Sequence, residues 1–109
     1  MPAYVNLADL YRLEGREAEG ERVLREALAR APEVAELHYS LGLLLVRRRQ
    51  VDRALASLAR ASELAPAESR FQYVYAVALH DSGDRETALQ VLEATHERFP
   101  SNQIGRAHV

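Results

Sequence analysis

The sequence predicts an all-α fold in which six antiparallel helices form three helix-turn-helix units. Three observations support this prediction. Similar residues recur at a fixed interval of 34 positions along a chain of 109 residues. Apolar residues within each interval follow the three- and four-residue spacing of amphipathic helices. The aromatic content is only 6% and Trp is absent, whereas the strands of sandwiches and barrels are enriched in aromatic residues.

Three prolines, Pro32, Pro66 and Pro100, define the interval. The positions that the interval aligns, which we call columns, hold residues of similar size. Examples of such columns are Leu7, Leu41 and Tyr75, then Gly20, Ala54 and Ala88, and then Leu24, Leu58 and Leu92. A fixed period of this length is the signature of a repeat protein, in which units stack to bury their apolar faces.

Three units fill residues 1–34, 35–68 and 69–102. The remaining residues, 103–109, are expected to be the start of a truncated further helix or a disordered tail. Each unit should contain two helices, because each has two amphipathic stretches separated by a turn. The helices are predicted at residues 2–14, 18–31, 36–48, 52–65, 70–82 and 86–99.

The first unit illustrates why these stretches should be helical. In its first stretch, Leu7 and Tyr11 are four residues apart, as one helix face requires. In its second stretch, Val23, Leu24 and Ala27 lie at helical spacing among glutamates and arginines. The later units repeat this pattern in the same columns, so the same two helices are expected in each.

The turn residues agree with the predicted helix ends. Gly15 and Gly83 lie between paired helices, where a left-handed residue ends a helix at little cost. Arg49 occupies the same column; a left-handed non-glycine residue costs about 1–2 kcal/mol, so this turn is either strained or different in shape. Asp52 and Asp84 are predicted N-caps of the second helices of their units.

Composition argues against catalysis and cofactor binding. The chain has no Cys, which excludes disulfides, thiolate metal sites and a Cys nucleophile, and all 14 basic residues are Arg. It contains no glycine-rich phosphate loop and no serine in a nucleophile-elbow context. The four histidines do not form a ligand pair at helical spacing. We therefore predict a protein that is not an enzyme and binds no cofactor or metal.

The charge pattern predicts no nucleic-acid partner. The formal net charge is −2, and the single basic cluster consists of Arg47, Arg48, Arg49 and Arg53. Arginines at a helix end also complement the helix dipole and remain solvated. No basic stripe recurs in the other units, as phosphate neutralisation along a nucleic acid would require.

No membrane partner is predicted either. The longest strongly apolar stretch runs only from Leu41 to Val46, whereas a membrane span needs about 20 residues. The N-terminus lacks the basic start and apolar run of a targeting segment. This pattern leaves the location open between cytoplasm and periplasm.

The period, the helix number and the columns together resemble the tetratricopeptide repeat (TPR) family. The resemblance covers essentially the whole chain. Departures occur where the family has Trp, a column that holds Tyr4, His38 and Gln72, and where Gly20 and Thr95 replace Ala. The resemblance implies a right-handed α-solenoid, and it favours a piece of a larger bacterial protein.

By this resemblance, the first helix of each unit lines a concave groove that binds a peptide or protein. The implied groove residues are Val5, Asn6, Asp9, Arg12, Glu36, Tyr39, Leu43, Val46, Arg47, Arg70, Tyr73, Val77 and His80. Tyr39 and Tyr73 share a column, so the groove centre should be apolar and aromatic. The open alternative is that these side chains pack on their neighbours or on a following helix.

One known TPR ligand class does not fit the sequence. Members that bind acidic C-terminal tails use a clamp of Lys, Asn, Asn, Lys and Arg. The matching positions here are Val5, Asp9, Ser40, Arg70 and Val74. Only the arginine is suitable, and the carboxylate of Asp9 would repel a terminal carboxylate.

The sequence leaves two further roles open beside groove binding. The repeats could be structural, packing on the rest of their own chain or on another copy. They could also be an accessory module of an enzyme or electron carrier, such as a multihaem cytochrome, whose catalytic domain lies elsewhere. In that case an intramolecular domain would be the partner.

Overall fold

The computed structural model describes residues 2–98, and the elements in this range are all α-helices. The six helices are α1 (Pro2–Leu13), α2 (Glu17–Arg30), α3 (Ala35–Arg47), α4 (Val51–Leu64), α5 (Ser69–Asp81) and α6 (Arg85–Arg98). The prediction of an all-α fold with six helices is confirmed, and each end lies within one residue of its predicted position. The predicted tail at 103–109 falls outside the described residues.

Within residues 2–98, the chain divides into two compact units, one that ends at Ala65 and one that begins at Pro66. In the first unit, α1 packs against α2, α2 against α3, and α3 against α4. In the second unit, α5 packs against α6. Each 34-residue repeat thus contains one packed helix pair, while the exact repeat boundaries stay a prediction.

The core of the first unit is aliphatic. Its buried cluster consists of Ala8, Leu24, Ala27, Leu37, Leu41, Leu44, Leu45 and Ala54. Burying one leucine side chain contributes about 1.5–3 kcal/mol, so this row of leucines on α2 and α3 is the main source of stability in the unit. In the second unit, Phe71, Ala76 and Leu79 of α5 and Ala88 of α6 are buried.

Two small residues let helices approach closely in the first unit. A β-carbon at Gly42 would lie 2.6 Å from Cδ2 of Leu58, so α3 and α4 meet at a point that excludes any side chain. At Gly20, a β-carbon would lie 3.4 Å from Cδ1 of Leu44 and 3.5 Å from the carbonyl oxygen of Ala8. Gly42 is therefore the point of closest approach of the two, and Gly20 leaves room for an ordinary contact.

The three turns between paired helices share one conformation. Gly15, Arg49 and Gly83 have φ angles of 73°, 61° and 103°. All three are therefore left-handed, as predicted for Gly15 and Gly83, and of the two possibilities left open for Arg49 the structure shows the left-handed one. Arg49 is the non-glycine residue among the described ones that adopts a positive φ, so the turn between α3 and α4 is the strained one.

Of the two predicted N-caps, one is correct. The carboxylate of Asp84 accepts a hydrogen bond from the backbone N–H of Thr87 at 3.2 Å, as an N-cap does. The prediction for Asp52 is wrong, because α4 begins at Val51 and the cap position is occupied by Gln50. Asp52 lies in the first turn instead, where its negative charge interacts favourably with the positive end of the helix dipole.

Candidate functional site

The residues that the sequence suggests for binding lie on α1 and α3 in the first unit and on α5 in the second. Within α1, Val5, Asp9 and Arg12 are spaced by four and three residues, which places them on one helix face. The same columns in α3 hold Tyr39, Leu43 and Val46, preceded by Glu36. Asn6 and Arg47 adjoin these two stripes along the sequence.

Access to these side chains is uneven in the first unit. On α1, Asn6, Asp9 and Arg12 are exposed, whereas Val5 packs against the aliphatic core. The guanidinium Nε of Arg12 lies 4.0 Å from Oδ1 of Asp9, so these two charges form a loose pair. The stripe on α1 is therefore mainly polar.

On α3, the stripe is mainly apolar and partly covered. Tyr39 is 7% exposed, which makes it a core residue with little surface left for a ligand. Glu36 and Leu43 are half-buried, and Val46 is exposed. Most of the Tyr39 side chain is therefore packed against its neighbours, as the alternative interpretation of the groove residues expects. A role for Tyr39 in binding stays a prediction.

In the second unit, α5 presents a continuous exposed stripe. Arg70, Tyr73, Val77 and His80 follow one helix face, and all four are exposed. Tyr73 is 60% exposed, in contrast to Tyr39 of the same column. A large aromatic side chain left this accessible is the strongest single candidate for contact with a partner.

Local contacts orient the two ends of this stripe. The guanidinium of Arg70 lies 5.1 Å from the ring centre of Phe71, and its Nε is 3.6 Å from Oε2 of Glu68. At the other end, Nδ1 of His80 lies 3.7 Å from Oδ1 of Asp81. The stripe thus has polar ends and an apolar, aromatic centre.

Arg47 is held by a carboxylate of the neighbouring repeat. Its Nε and Nη2 donate to the two carboxylate oxygens of Glu17 at 2.7 and 3.1 Å, which joins the end of α3 to the start of α2. These hydrogen bonds are the main cause of a lowered pKa for Glu17. Arg47 therefore has a structural partner in addition to its predicted place at the binding surface.

Glu21 on α2 gathers three further arginines. Its carboxylate accepts from Arg25 at 2.8 Å, from Arg48 at 3.1 Å and from Arg53 at 2.8 Å. Partial burial raises the pKa of Glu21, but the hydrogen bonds from Arg25 and Arg53 outweigh it, and the net shift is downward. The network fastens the second repeat to the first.

This network explains the basic cluster differently from the sequence analysis. Helix-dipole complementarity accounts for arginines at the end of α3, but Arg47, Arg48 and Arg53 in fact reach across to Glu17 and Glu21. The signal was present in the sequence, because these glutamates lie four residues apart on one face of α2. The pairing of these glutamates with the arginine cluster could not be inferred without knowing that α3 packs beside that face of α2.

A small apolar cavity lies between α5 and α6. Its volume is about 250 Å³, and it is lined by Ala76, Val77, His80, Arg85, Ala88, Leu89 and Leu92. Leu89 and Leu92 of α6 are exposed there. Val77 and His80 thus contribute both to the stripe on α5 and to this cavity.

Between residues 2 and 98, no group of three or more His, Asp or Glu side chains could hold a metal ion. In the same range, no buried side-chain polar atom lacks a hydrogen-bond partner. None of the helices in this part of the chain is long and apolar enough to cross a membrane.

Paired helices that repeat every 34 residues, with small residues at the closest contacts, define an all-α helical repeat protein. The family model described as "Tetratricopeptide repeat" matches residues 5–53 and 39–102. The chain belongs to the tetratricopeptide repeat family.

One relative is the TPR repeat-containing protein PA4299 of Pseudomonas aeruginosa. It is 42% identical over 60 residues, which cover 55% of this chain and 24% of the relative. The chain thus spans about a quarter of the length of this curated relative.

Solved structures share the fold over 92% of the chain. The type III secretion translocator chaperone SycD of Yersinia enterocolitica has a TM-score of 0.78 at 19% identity and is covered over 69% of its length. A mutant O-GlcNAc transferase of Thermobaculum terrenum gives 0.75 at 28% identity, with 19% covered. YrrB, a TPR protein with an unusual peptide-binding site, gives 0.75 at 20% identity, with 52% covered.

Proposed function

We propose that this chain is a non-catalytic protein-interaction module that binds a peptide or protein segment through its first helices. Membership of the TPR family supports the general role, because TPR proteins are interaction modules. The similar fold of YrrB, which has a peptide-binding site, supports a peptide as one form of ligand. The location of the site on these helices rests on the side chains of the chain itself.

The exposed stripe on α5 is the observation that carries the proposal. Tyr73 has most of its surface open to solvent, and Val77 lies one helical turn further along the same face. A tyrosine contributes a large rigid contact area and one hydroxyl at low entropic cost. The pair is therefore suited to an apolar side chain of the partner, with the hydroxyl left to bond to its backbone.

The charges around this stripe define the rest of the ligand chemistry. Arg70 lies at one end of the apolar centre, so an acidic residue on that side of the partner's apolar side chain would be favoured, while the His80 ring at the other end offers hydrogen-bonding nitrogens. Arg70 already contacts Glu68 and Phe71, which keeps its side chain oriented along the helix surface. The proposed ligand is thus a segment with an apolar anchor and an acidic residue on the side that faces Arg70.

The ion-pair network argues against nucleic acid as the ligand. Three of the four arginines in the basic cluster already contact carboxylates of α2. Phosphate binding would require those carboxylates to be displaced, while overall the chain is slightly acidic. A protein partner is therefore proposed, and the chain is not proposed to act as an enzyme.

Affinity capture followed by mass spectrometry tests the proposal. The full chain should retain a specific protein, and Tyr73→Ala should reduce its capture at least tenfold. Such a loss corresponds to removal of a contact worth about 1.4 kcal/mol or more. Circular dichroism should show unchanged helicity, because Tyr73 is not part of the core.

A matched variant provides the control. Val51→Ala removes an exposed aliphatic side chain from the start of α4, which is a second helix of its repeat. It should capture the partner as the unaltered chain does. Equal capture by Tyr73→Ala and Val51→Ala would contradict the proposed site.

A further inference from the structure

Two polar residues that depart from the repeat pattern lie together in the third repeat. Gln72 of α5 occupies the column in which the first two repeats have a ring, and Thr95 of α6 occupies a column in which they have alanine. Gln72 is only 9% exposed, and Thr95 is half-buried. Two polar side chains therefore take up interior positions that the neighbouring repeats fill differently.

Both side chains line one cavity of about 220 Å³, which we call the Gln72 cavity. Its other lining residues are Pro66 before α5 and three residues of α6, namely Val91, Ala94 and Arg98. The residues from α6 share one face of the helix, because they are spaced by three or four positions. All of the lining residues belong to the second unit.

The second repeat shows what its own chain places at the equivalent position. There the column of Gln72 holds His38, whose Nε2 donates a hydrogen bond to the carbonyl oxygen of Pro32 at 2.7 Å. Pro32 is the equivalent of Pro66. A ring thus extends to the proline that precedes the first helix of the second repeat. In the third repeat the unbranched amide of Gln72 replaces that ring, and the cavity extends to Pro66.

The polar groups of the Gln72 cavity can bond to a ligand without giving up their place in the fold. Oγ1 of Thr95 donates to the carbonyl oxygen of Val91 at 2.8 Å, and its lone pairs can accept a further hydrogen bond. A primary amide has two N–H donors and an acceptor oxygen, so Gln72 can contact a protein neighbour and a ligand at the same time.

Arg98 adds a permanent positive charge at the exposed edge of the cavity. A guanidinium presents a planar fork of N–H groups that matches a carboxylate with two parallel hydrogen bonds. The remaining lining, Pro66, Val91 and Ala94, is apolar. The cavity therefore combines an apolar wall, two uncharged polar groups and one cation.

We propose that the Gln72 cavity binds a small aromatic carboxylate. The ring would take the place that His38 fills in the second repeat, and the carboxylate would accept from Arg98. A hydroxyl on the ring would bond to Gln72 or Thr95. The space suffices, since a cavity of about 150 Å³ can hold a benzene molecule.

Other ligand classes use only part of this lining. An inorganic anion would bond to Arg98 but leave the apolar wall in water, and a hydrocarbon would cover the Gln72 amide without bonding to it. The proposal goes beyond the proposed function, because its ligand is a small molecule. The residues of the exposed stripe on α5 do not line this cavity.

NMR of the full, nitrogen-labelled chain titrated with para-hydroxybenzoate is the experiment. The side-chain amide of Gln72 and the backbone N–H of Thr95 should shift and reach saturation. The dissociation constant should be roughly 0.1–5 mM, as expected for a ligand of about ten non-hydrogen atoms. Phenol, which has the ring and the hydroxyl but no carboxylate, should bind at least about tenfold more weakly.

Three variants locate the site. Gln72→Trp supplies a ring from the chain itself and should abolish binding. Arg98→Gln should weaken binding of para-hydroxybenzoate about tenfold and leave that of phenol unchanged. The matched control is Arg30→Gln, because Arg30 ends α2 in the same column as Arg98 and lies outside the cavity. It should bind like the unaltered chain.

Four results would overturn the proposal. They are no saturable shift at about 20 mM ligand, equal binding by Arg98→Gln and Arg30→Gln, full binding by a folded Gln72→Trp chain, or shifts confined to the stripe around Tyr73. Arg98 is exposed, so its variant is decisive even if the tryptophan is not accommodated. Failure here would leave capture through Tyr73 intact, and failure of that capture would leave the Gln72 cavity intact.

Discussion

The Cδ2 atom of Leu58 lies 2.6 Å from the point where a β-carbon on Gly42 would be, and its Cγ lies 2.7 Å from that point. Leu58 is fully buried, so it has no open space into which to move. The contact fixes how closely α3 and α4 approach. A glycine in a helix interior costs about 0.5–1 kcal/mol relative to alanine. In return, the missing β-carbon lets Leu58 pack directly against the backbone of α3.

Gly42→Ala should therefore destabilise the chain even though alanine is the better helix former. Overpacking a filled core costs about 1–3 kcal/mol, which exceeds the gain in helix propensity. Urea unfolding followed by circular dichroism would measure the change. An unchanged or increased unfolding free energy would mean that α3 and α4 separate without cost.

Gly20→Ala is the matched substitution with the opposite expected sign. A β-carbon there would make ordinary contacts, 3.4 Å to Cδ1 of Leu44 and 3.7 Å to Cβ of Tyr11. The helix-propensity gain should then remain, and stability should rise by about 0.5–1 kcal/mol. A loss in this variant would show that α1, α2 and α3 meet more tightly than the structure indicates.

Arg49 offers a second route to greater stability. Its φ of 61° is left-handed, a conformation that costs an L-residue about 1–2 kcal/mol and glycine almost nothing. Arg49→Gly should raise the unfolding free energy by about 0.5–1 kcal/mol after the greater freedom of glycine in the unfolded chain is subtracted. Thermal and urea unfolding would both report it.

Arg49→Ala separates backbone strain from side-chain effects. Alanine keeps the β-carbon and therefore the strain, so this variant should unfold like the unaltered chain. If alanine stabilised the chain as much as glycine, the benefit would come from removing the arginine charge, and the strain explanation would be wrong.

The helix positions could be predicted because the 34-residue period repeats the same evidence three times. Gly15 and Gly83 identified a left-handed column, and Arg49 inherited the conformation from its position alone. Asp52 shows the limit of this reasoning. A cap depends on where the first helical turn starts, and a shift of one residue moved Asp52 from the cap into the helix.

The solvent exposure of the side chains could not be predicted from the sequence. Membership of a column gives the position of a residue within its repeat, but it does not say which other helices pack around that residue. Tyr39 and Tyr73 share a column, yet one is buried and the other is open to solvent. The arginine cluster shows the same limit, since its partners Glu17 and Glu21 lie about 30 residues away in sequence and meet it only through the packing of α2 on α3.

Loss of stability in acid should follow from these two glutamates. The pKa values of Glu17 and Glu21 are below their usual 4.5 in the folded chain. Their stabilising effect is therefore complete above pH 4.5 and is lost as the pH falls through the lower folded-state values. The unfolding free energy in urea should decrease over that acidic range.

Glu17→Gln tests the contribution of one pair. Because the ion pair with Arg47 is partly exposed, its removal should cost only about 0.5–1 kcal/mol at neutral pH, and the acid dependence should become shallower. Arg47→Gln should cost a similar amount, and the double variant little more than either single one. Fully additive losses would show that the two side chains do not interact in solution.

Truncation of the two tyrosines in the shared column should change the unfolding free energy by very different amounts. Tyr39→Ala removes a buried ring from the first unit and should cost about 3–5 kcal/mol, the usual range for large aromatic residues in cores. Tyr73→Ala removes an exposed ring and should change the unfolding free energy by no more than about 0.5 kcal/mol. Urea unfolding of both variants measures this difference, with Tyr39→Phe as the control that keeps the ring. If Tyr73→Ala proved as destabilising as Tyr39→Ala, the Tyr73 ring would be part of a core, and any loss of partner capture in that variant would reflect unfolding.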